Sequence, residues 1–148
     1  MASRDVRIVR CEPSNQFQLN LIASMQIDCL PGDTPIPGDE GYWWVAQKRE
    51  DGRKLNIAFA CLKVCAGMPY GYLARSGVYE NHQGQGLQKR LIAARERYAK
   101  ALGLTHMVCD TARTNYASSN SLIRCGYKLY RPIEPWAFED GNYWIKKL

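Results

Sequence analysis

With 148 residues, 46% of them hydrophobic and 11% aromatic, the chain has enough apolar mass for one packed domain and too much for a disordered protein. No apolar run approaches membrane-spanning length, and the first residues, MASRDVRIVRCE, lack the apolar core of a secretory signal, so a cytoplasmic protein without a membrane partner is expected. The net charge of +6 favours anionic ligands, but the basic residues form no run and no helix-turn-helix, zinc-finger or RNP pattern, which leaves nucleic acid an unfavoured alternative.

In chain order, Val6, Ile8 and Arg10 alternate as a first strand. Pro13-Ser14 then opens a helix with Phe17, Leu21, Ile22, Met25 and Cys29 along one side, ending before Pro31. Residues 31–41, PGDTPIPGDEG, form a loop. A strand over 42–47, YWWVAQ, turns back through Asp51-Gly52 into a buried strand over 55–64, and a third strand spans Tyr70–Val78. These are antiparallel steps joined by short turns. A helix follows from Leu87, with Leu91, Ala94, Tyr98 and Leu102 on its apolar face and Lys89, Arg90, Arg95, Arg97 and Lys100 largely off it, stopping at Gly103. Residues 104–111 return as a buried strand, Thr114 or Asn115 caps a short helix ending at Gly126, and strands over 127–130 and 142–146 flank Pro132 and Pro135. The six cysteines, Cys11, Cys29, Cys61, Cys65, Cys109 and Cys125, make no C-x-x-C pair and read as reduced core thiols, with no disulfide and no metal expected.

The stretch that organises the rest runs from 73 to 91, LARSGVYENHQGQGLQKRL, where an apolar strand breaks into a glycine-bearing turn and becomes a helix. Gly84 and Gly86 let the backbone turn tightly and present N–H groups, and the helix start adds orphan donors and the positive dipole end, which suits a pyrophosphate. An ordinary strand-to-helix connection is the bland alternative. The P-loop is excluded because no Gly-Lys-Ser/Thr follows, and the dinucleotide fingerprint because its third glycine is absent.

Gln83-Gly84-Gln85-Gly86-Leu87-Gln88 resembles the acyl-CoA signature Q/R-x-x-G-x-G/A of the GNAT N-acetyltransferases, departing at Gln88. Val78 stands where that family closes its fourth strand. Asn115-Tyr116-Ala117-Ser118, with Gly126-Tyr127 eleven and twelve positions after the Asn, resembles the family's second signature. The resemblance implies an α/β fold (α+β in some schemes) with a mixed, mostly antiparallel sheet of about seven strands, splayed between the fourth and fifth and flanked by helices.

The resemblance further implies acetyl-CoA as co-substrate, its pantetheine arm paired with the strand-four backbone at Ser76, Val78 and Glu80, and its pyrophosphate held by Gln83, Gly84, Gln85, Gly86, Leu87 and Gln88. The Val78 N–H would polarise the thioester carbonyl. Gln88 either crowds the phosphates or donates to one. Asn115 would reach the pantetheine arm, with Ser118 one turn on, or Asn115 is only a helix cap. The expected reaction is direct attack by a primary amine of a small molecule or a protein. Leu122 occupies the usual position of the tyrosine acid, so water or another hydroxyl serves, or CoA leaves as a thiolate, or catalysis is inefficient. Candidate bases are Glu80, His82, Asp110 and Tyr130, with Asp110 the better placed. Arg75 lies where some members have a catalytic Asp; it meets an acidic part of the acceptor or makes a strand-edge ion pair. The acceptor pocket is expected from loop 31–41, from Tyr42, Trp43 and Trp44, and from the late segment bearing Trp136 and Phe138, where a core-anchor role is the alternative. The protein is expected as a monomer or homodimer. A GNAT-fold binding protein with lost catalysis, or an acetyltransferase associated with tRNA, are the competing functions.

Overall fold

The structure, a computed structural model, describes residues 5–137 and 140–148. It contains β1 (Val6–Arg10), α1 (Gln16–Cys29), β2 (Tyr42–Glu50), β3 (Arg53–Val64), β4 (Tyr70–Val78), α2 (Leu87–Ala101), β5 (His106–Thr111), α3 (Tyr116–Arg124), β6 (Lys128–Tyr130) and β7 (Asn142–Lys147). The seven strands form one sheet in the order β1-β2-β3-β4-β5-β7-β6. Every neighbouring pair is antiparallel except β4 with β5, whose parallel pairing requires the crossover that α2 provides. The mixed, mostly antiparallel architecture expected from the sequence is therefore present.

Strand alternation divides the apolar residues between two faces. On one, Trp44, Ala46, Ala60, Leu62, Leu73, Met107 and Trp144 meet Leu87 and Leu91 of α2 and Leu122 of α3. On the other, Trp43, Val45, Phe59 and Cys61 meet Ile22 and Met25 of α1. At Gly77 the end of α1 approaches the sheet closely: a Cβ there would stand 2.6 Å from Cys29 Cβ. The hairpin between β2 and β3 turns through Asp51 and Gly52, both at positive φ (50° and 74°), as the Asp-Gly dipeptide requires.

Two expectations about the helices fail. Phe17 is 78% exposed, because α1 turns Ile22, Met25 and Gln26 inward and leaves Phe17 on the solvent side. Gln26 is the polar exception inside, its amide exchanging hydrogen bonds with the Ile36 backbone at 2.9 and 3.0 Å and tying loop 31–41 to α1. Arg95 does not lie off the apolar face of α2. It is 2% exposed, buried against the middle of the sheet, where its Nη1 donates to the Cys61 carbonyl at 3.0 Å and its Nε to Leu91 O at 3.2 Å.

Candidate active site

The reason for a buried arginine lies in β4. Its register with β3 shifts between Ala60 and Leu62, so that Ala74 and Arg75 together oppose Cys61, a β-bulge. A bulge reverses which residues point their backbone groups outward. Before it, Cys65 N–H bonds to Tyr70 O at 2.9 Å, so Tyr70 and Tyr72 face β3 and Leu73 faces β5. Beyond it, Tyr79 N–H bonds to Ile57 O at 3.0 Å, so Gly77 and Tyr79 face β3 while Ser76 and Val78 face outward. Arg95 supplies a donor to Cys61, the residue opposite the bulge.

The outward edge is open. β4 and β5 pair only at Tyr70–Tyr72 with His106–Val108; from Leu73 onward the strands part. In the cleft Cys109 Sγ approaches Leu73 O at 3.5 Å, and burial pushes its thiol up to about 12. Farther along, the Gln83 side chain donates to Val78 O at 3.1 Å, holding the start of the next turn against the open edge.

That turn ends at the start of α2. Gly84 and Gly86 sit at φ 77° and 76°, the left-handed region that glycine tolerates, and a Cβ on either would meet nothing within 4 Å. The two glycines are thus required by backbone conformation, and they face unfilled space. α2 has no side-chain cap, whereas α1 is capped by Asn15 and α3 by Asn115, whose Oδ1 accepts from Ser118 N at 3.2 Å. The first N–H groups of α2 therefore remain available for an anion. Lys89 is exposed beside them, but Arg90 is occupied, its Nη2 donating to Val6 O at 2.7 Å.

Where β4 and β5 begin to part, Tyr72 Oη donates to Asp110 Oδ1 at 2.5 Å. Burial and the adjacent carboxylate raise the Tyr72 pKa strongly, so the phenol keeps its proton. Trp136 packs edge-on to Tyr72 at 5.4 Å and to Tyr143 at 5.0 Å, and its Nε1 donates to Tyr130 Oη at 2.9 Å. The structure thus gathers Tyr72, Asp110, Tyr130 and Trp136 around the apex of the opening, on the sheet face that carries α1.

Other expected site residues lie elsewhere. Tyr42 does not share a surface with Arg75 and Trp136: strand alternation turns it to the α2 face, its ring 4.9 Å from Tyr98. Trp43 is 2% exposed and works as an anchor, its Nε1 bonded to Gly38 O at 3.0 Å. Trp44 is a core residue on the α2 face. Glu80 and His82 lie in a single 3-10 turn (Glu80–His82), and His82 borders a concavity with Leu55, Asn56 and Ile57, on the β3 side of the strand end rather than in the cleft. Leu122 is buried in the core. Phe138 lies outside the described residues. Tyr72 and the bulge were missed from sequence. The only trace of the bulge is one arginine inside an otherwise apolar strand; Tyr72 looked like any strand aromatic.

A profile of the acetyltransferase (GNAT) family matches residues 21–127, which covers the opened strand, the glycine turn, α2, β5 and α3. The chain belongs to the GNAT acetyltransferase family. No curated protein matches the sequence. Among solved structures, this GNAT chain is similar to the IAA acetyltransferase from Bacillus cereus (18% identity, TM-score 0.70, covering 97% of this chain and 99% of that one). It is similar to a Bacillus subtilis acetyltransferase in complex with CoA (16%, 0.72, 97% and 99%). A chain of the NatC complex bound to Gag peptide and CoA also matches (14%, 0.75, 97% and 99%). At these identities the likeness speaks for the fold.

Proposed function

We propose that this GNAT protein transfers the acetyl group of acetyl-CoA to a primary amine of a small molecule or protein by direct attack. The observation that carries the reading is the single path formed by the open outer edge of β4 after the bulge, the glycine turn and the uncapped start of α2. Ser76 and the Val78 N–H face the open edge and meet the pantetheine amides, with Glu80 beyond them and the Val78 carbonyl taken by Gln83. Gln83 to Gln88 and the first α2 amides receive the pyrophosphate. Because Asn115 spends its Oδ1 on the α3 cap, only its amide NH₂ serves as a donor toward the arm, beside Ser118.

The Val78 N–H stabilises the oxyanion as the amine nitrogen bonds to the carbonyl carbon and the carbon–sulfur bond breaks. Asp110, with Oδ1 held by Tyr72, takes the amine proton on Oδ2. With Leu122 sealed in the core, CoA departs as thiolate, an adequate leaving group because thiols ionise at about 8.5. The similar structures in complex with CoA support the co-substrate, and the one that also holds a peptide supports a protein amine as one acceptor class. The reading extends to a single-domain cytoplasmic protein acting as monomer or homodimer.

Calorimetric titration with acetyl-CoA tests it, with Gly86→Trp as the blocked cradle and thiol release assayed in parallel. Binding lost in the variant, with thiol release accelerated by amines, is expected. A folded wild type that binds no acetyl-CoA would overturn it and favour a GNAT-fold binding protein.

A further inference from the structure

Arg75, one of the two residues at the β4 bulge, carries a guanidinium nitrogen, Nη1, that no hydrogen bond among the described residues uses. Its side chain is 25% exposed, and its Nη1 has almost no accessible surface and no hydrogen-bond partner among the described residues. The carboxylate in reach, Asp33 Oδ2, stands at 3.8 Å, too far for a hydrogen bond. Asp33 belongs to loop 31–41 and is itself 56% exposed. It balances charge with one oxygen without meeting the guanidinium's fork of donors, which matches a carboxylate in two parallel bonds. Arg75 stands three residues beyond Tyr72 on β4, where the strand leaves β5, and its charge lowers the phenol's pKa against the raising effects of burial and Asp110.

The mouth of the cleft therefore brings the Arg75 cation, with Asp33 at its side, near the Asp110 carboxylate and the Trp136 ring that packs on Tyr72. A zwitterion meets both charges, its ammonium toward Asp110 and its carboxylate toward Arg75. A polyamine finds Asp110 and is repelled by Arg75. Resting on the acetyltransferase reading above, we propose that Arg75 selects the acceptor: the substrate class is a primary amine that also carries a carboxylate, and Asp33 is the internal carboxylate that this group displaces.

The test uses matched amines with and without the carboxylate, phenylalanine against phenethylamine and lysine against cadaverine, titrated into the protein both with and without CoA and followed by NMR shift changes. The carboxylate-bearing member of each pair binds at least about tenfold more tightly, as expected for a charge-assisted bidentate contact. Arg75→Gln erases that ratio, weakening the carboxylate-bearing amine and, with the repulsion relieved, tightening the carboxylate-free one. Asp33→Asn, which removes the competitor, widens the ratio and does not depend on the arginine variant folding. Equal binding within the pairs, no shift from either carboxylate-bearing amine, or a ratio that survives in Arg75→Gln overturns the assignment. Acetyl-CoA is titrated separately: its failure to bind while the carboxylate preference persists counts against the acetyltransferase reading alone, and the reverse result against Arg75 alone.

Discussion

β4 has two edges that share one sequence and behave as different structures. Toward β3 it is paired from Gly71 to Val78; toward β5 it is paired only at Tyr70–Tyr72. Alternate residues send their N–H and C=O groups to the two edges, those of Gly77 and Tyr79 into the ladder with β3 and those of Ser76 and Val78 outward. What decides between them is the bulge at Ala74 and Arg75, because one extra residue aims Ser76 and Val78 out of the sheet. Stability should therefore reside on the laddered edge and chemistry on the open one, with Arg95 the residue that links them.

The sharpest way to separate the edges is Asp110→Asn. Thiol release should fall about 10²- to 10⁴-fold, the usual worth of a positioned base, with acetyl-CoA affinity unchanged in calorimetry. An unaltered rate would remove Asp110 from the chemistry.

Arg95→Ala attacks the link. It leaves the buried Cys61 carbonyl without its partner and opens a cavity, which together should cost about 3 kcal/mol in urea unfolding. Because the bulge loses its brace, acetyl-CoA affinity should fall as well; a purely structural loss would leave affinity in the folded fraction intact.

Asn115→Ala should cost about 1 kcal/mol through loss of the α3 cap. A drop in acetyl-CoA affinity beyond that destabilisation would show that the amide also serves the ligand, which thermal melts with and without acetyl-CoA can separate.

Alkaline pH acts on stability through the buried thiols. Burial raises the Cys61 and Cys109 thiols from 9.0 to about 12, so the folded state favours the protonated form. The unfolded chain loses those protons first. Their stabilisation is complete below pH 9 and declines as pH rises toward 12, so the melting temperature should fall across that interval. The same shift keeps Cys109 protonated at neutral pH, and Cys109→Ser should retain thiol-release activity, in keeping with direct transfer.

Much of this was legible in the sequence. The strand Tyr70–Val78, the Asp51-Gly52 hairpin and the Gly103 stop follow from local rules of β-branching, turn chemistry and positive φ, which act over a few residues. Arg95 was misread because its charge assigned it to the wet face although it stands four residues after Leu91, and only the tertiary placement of the Cys61 carbonyl makes burial favourable. Tyr42 was misplaced for a related reason: an aromatic run, Tyr42-Trp43-Trp44, does not reveal which members face which side until strand register is known. The Tyr72–Asp110 contact joins strands 38 positions apart, and no local pattern announces it.

The central claim is that the outer edge of β4 beyond the bulge is where CoA lies, and residue-resolved amide hydrogen exchange reads it directly. Without ligand, the amides of Ser76 and Val78 should exchange quickly and those of Gly77 and Tyr79, bonded toward β3, slowly; adding CoA should protect Ser76 and Val78 and leave the other two unchanged. Uniform protection along the strand without ligand, or open-edge amides that stay fast at saturating CoA, would contradict it.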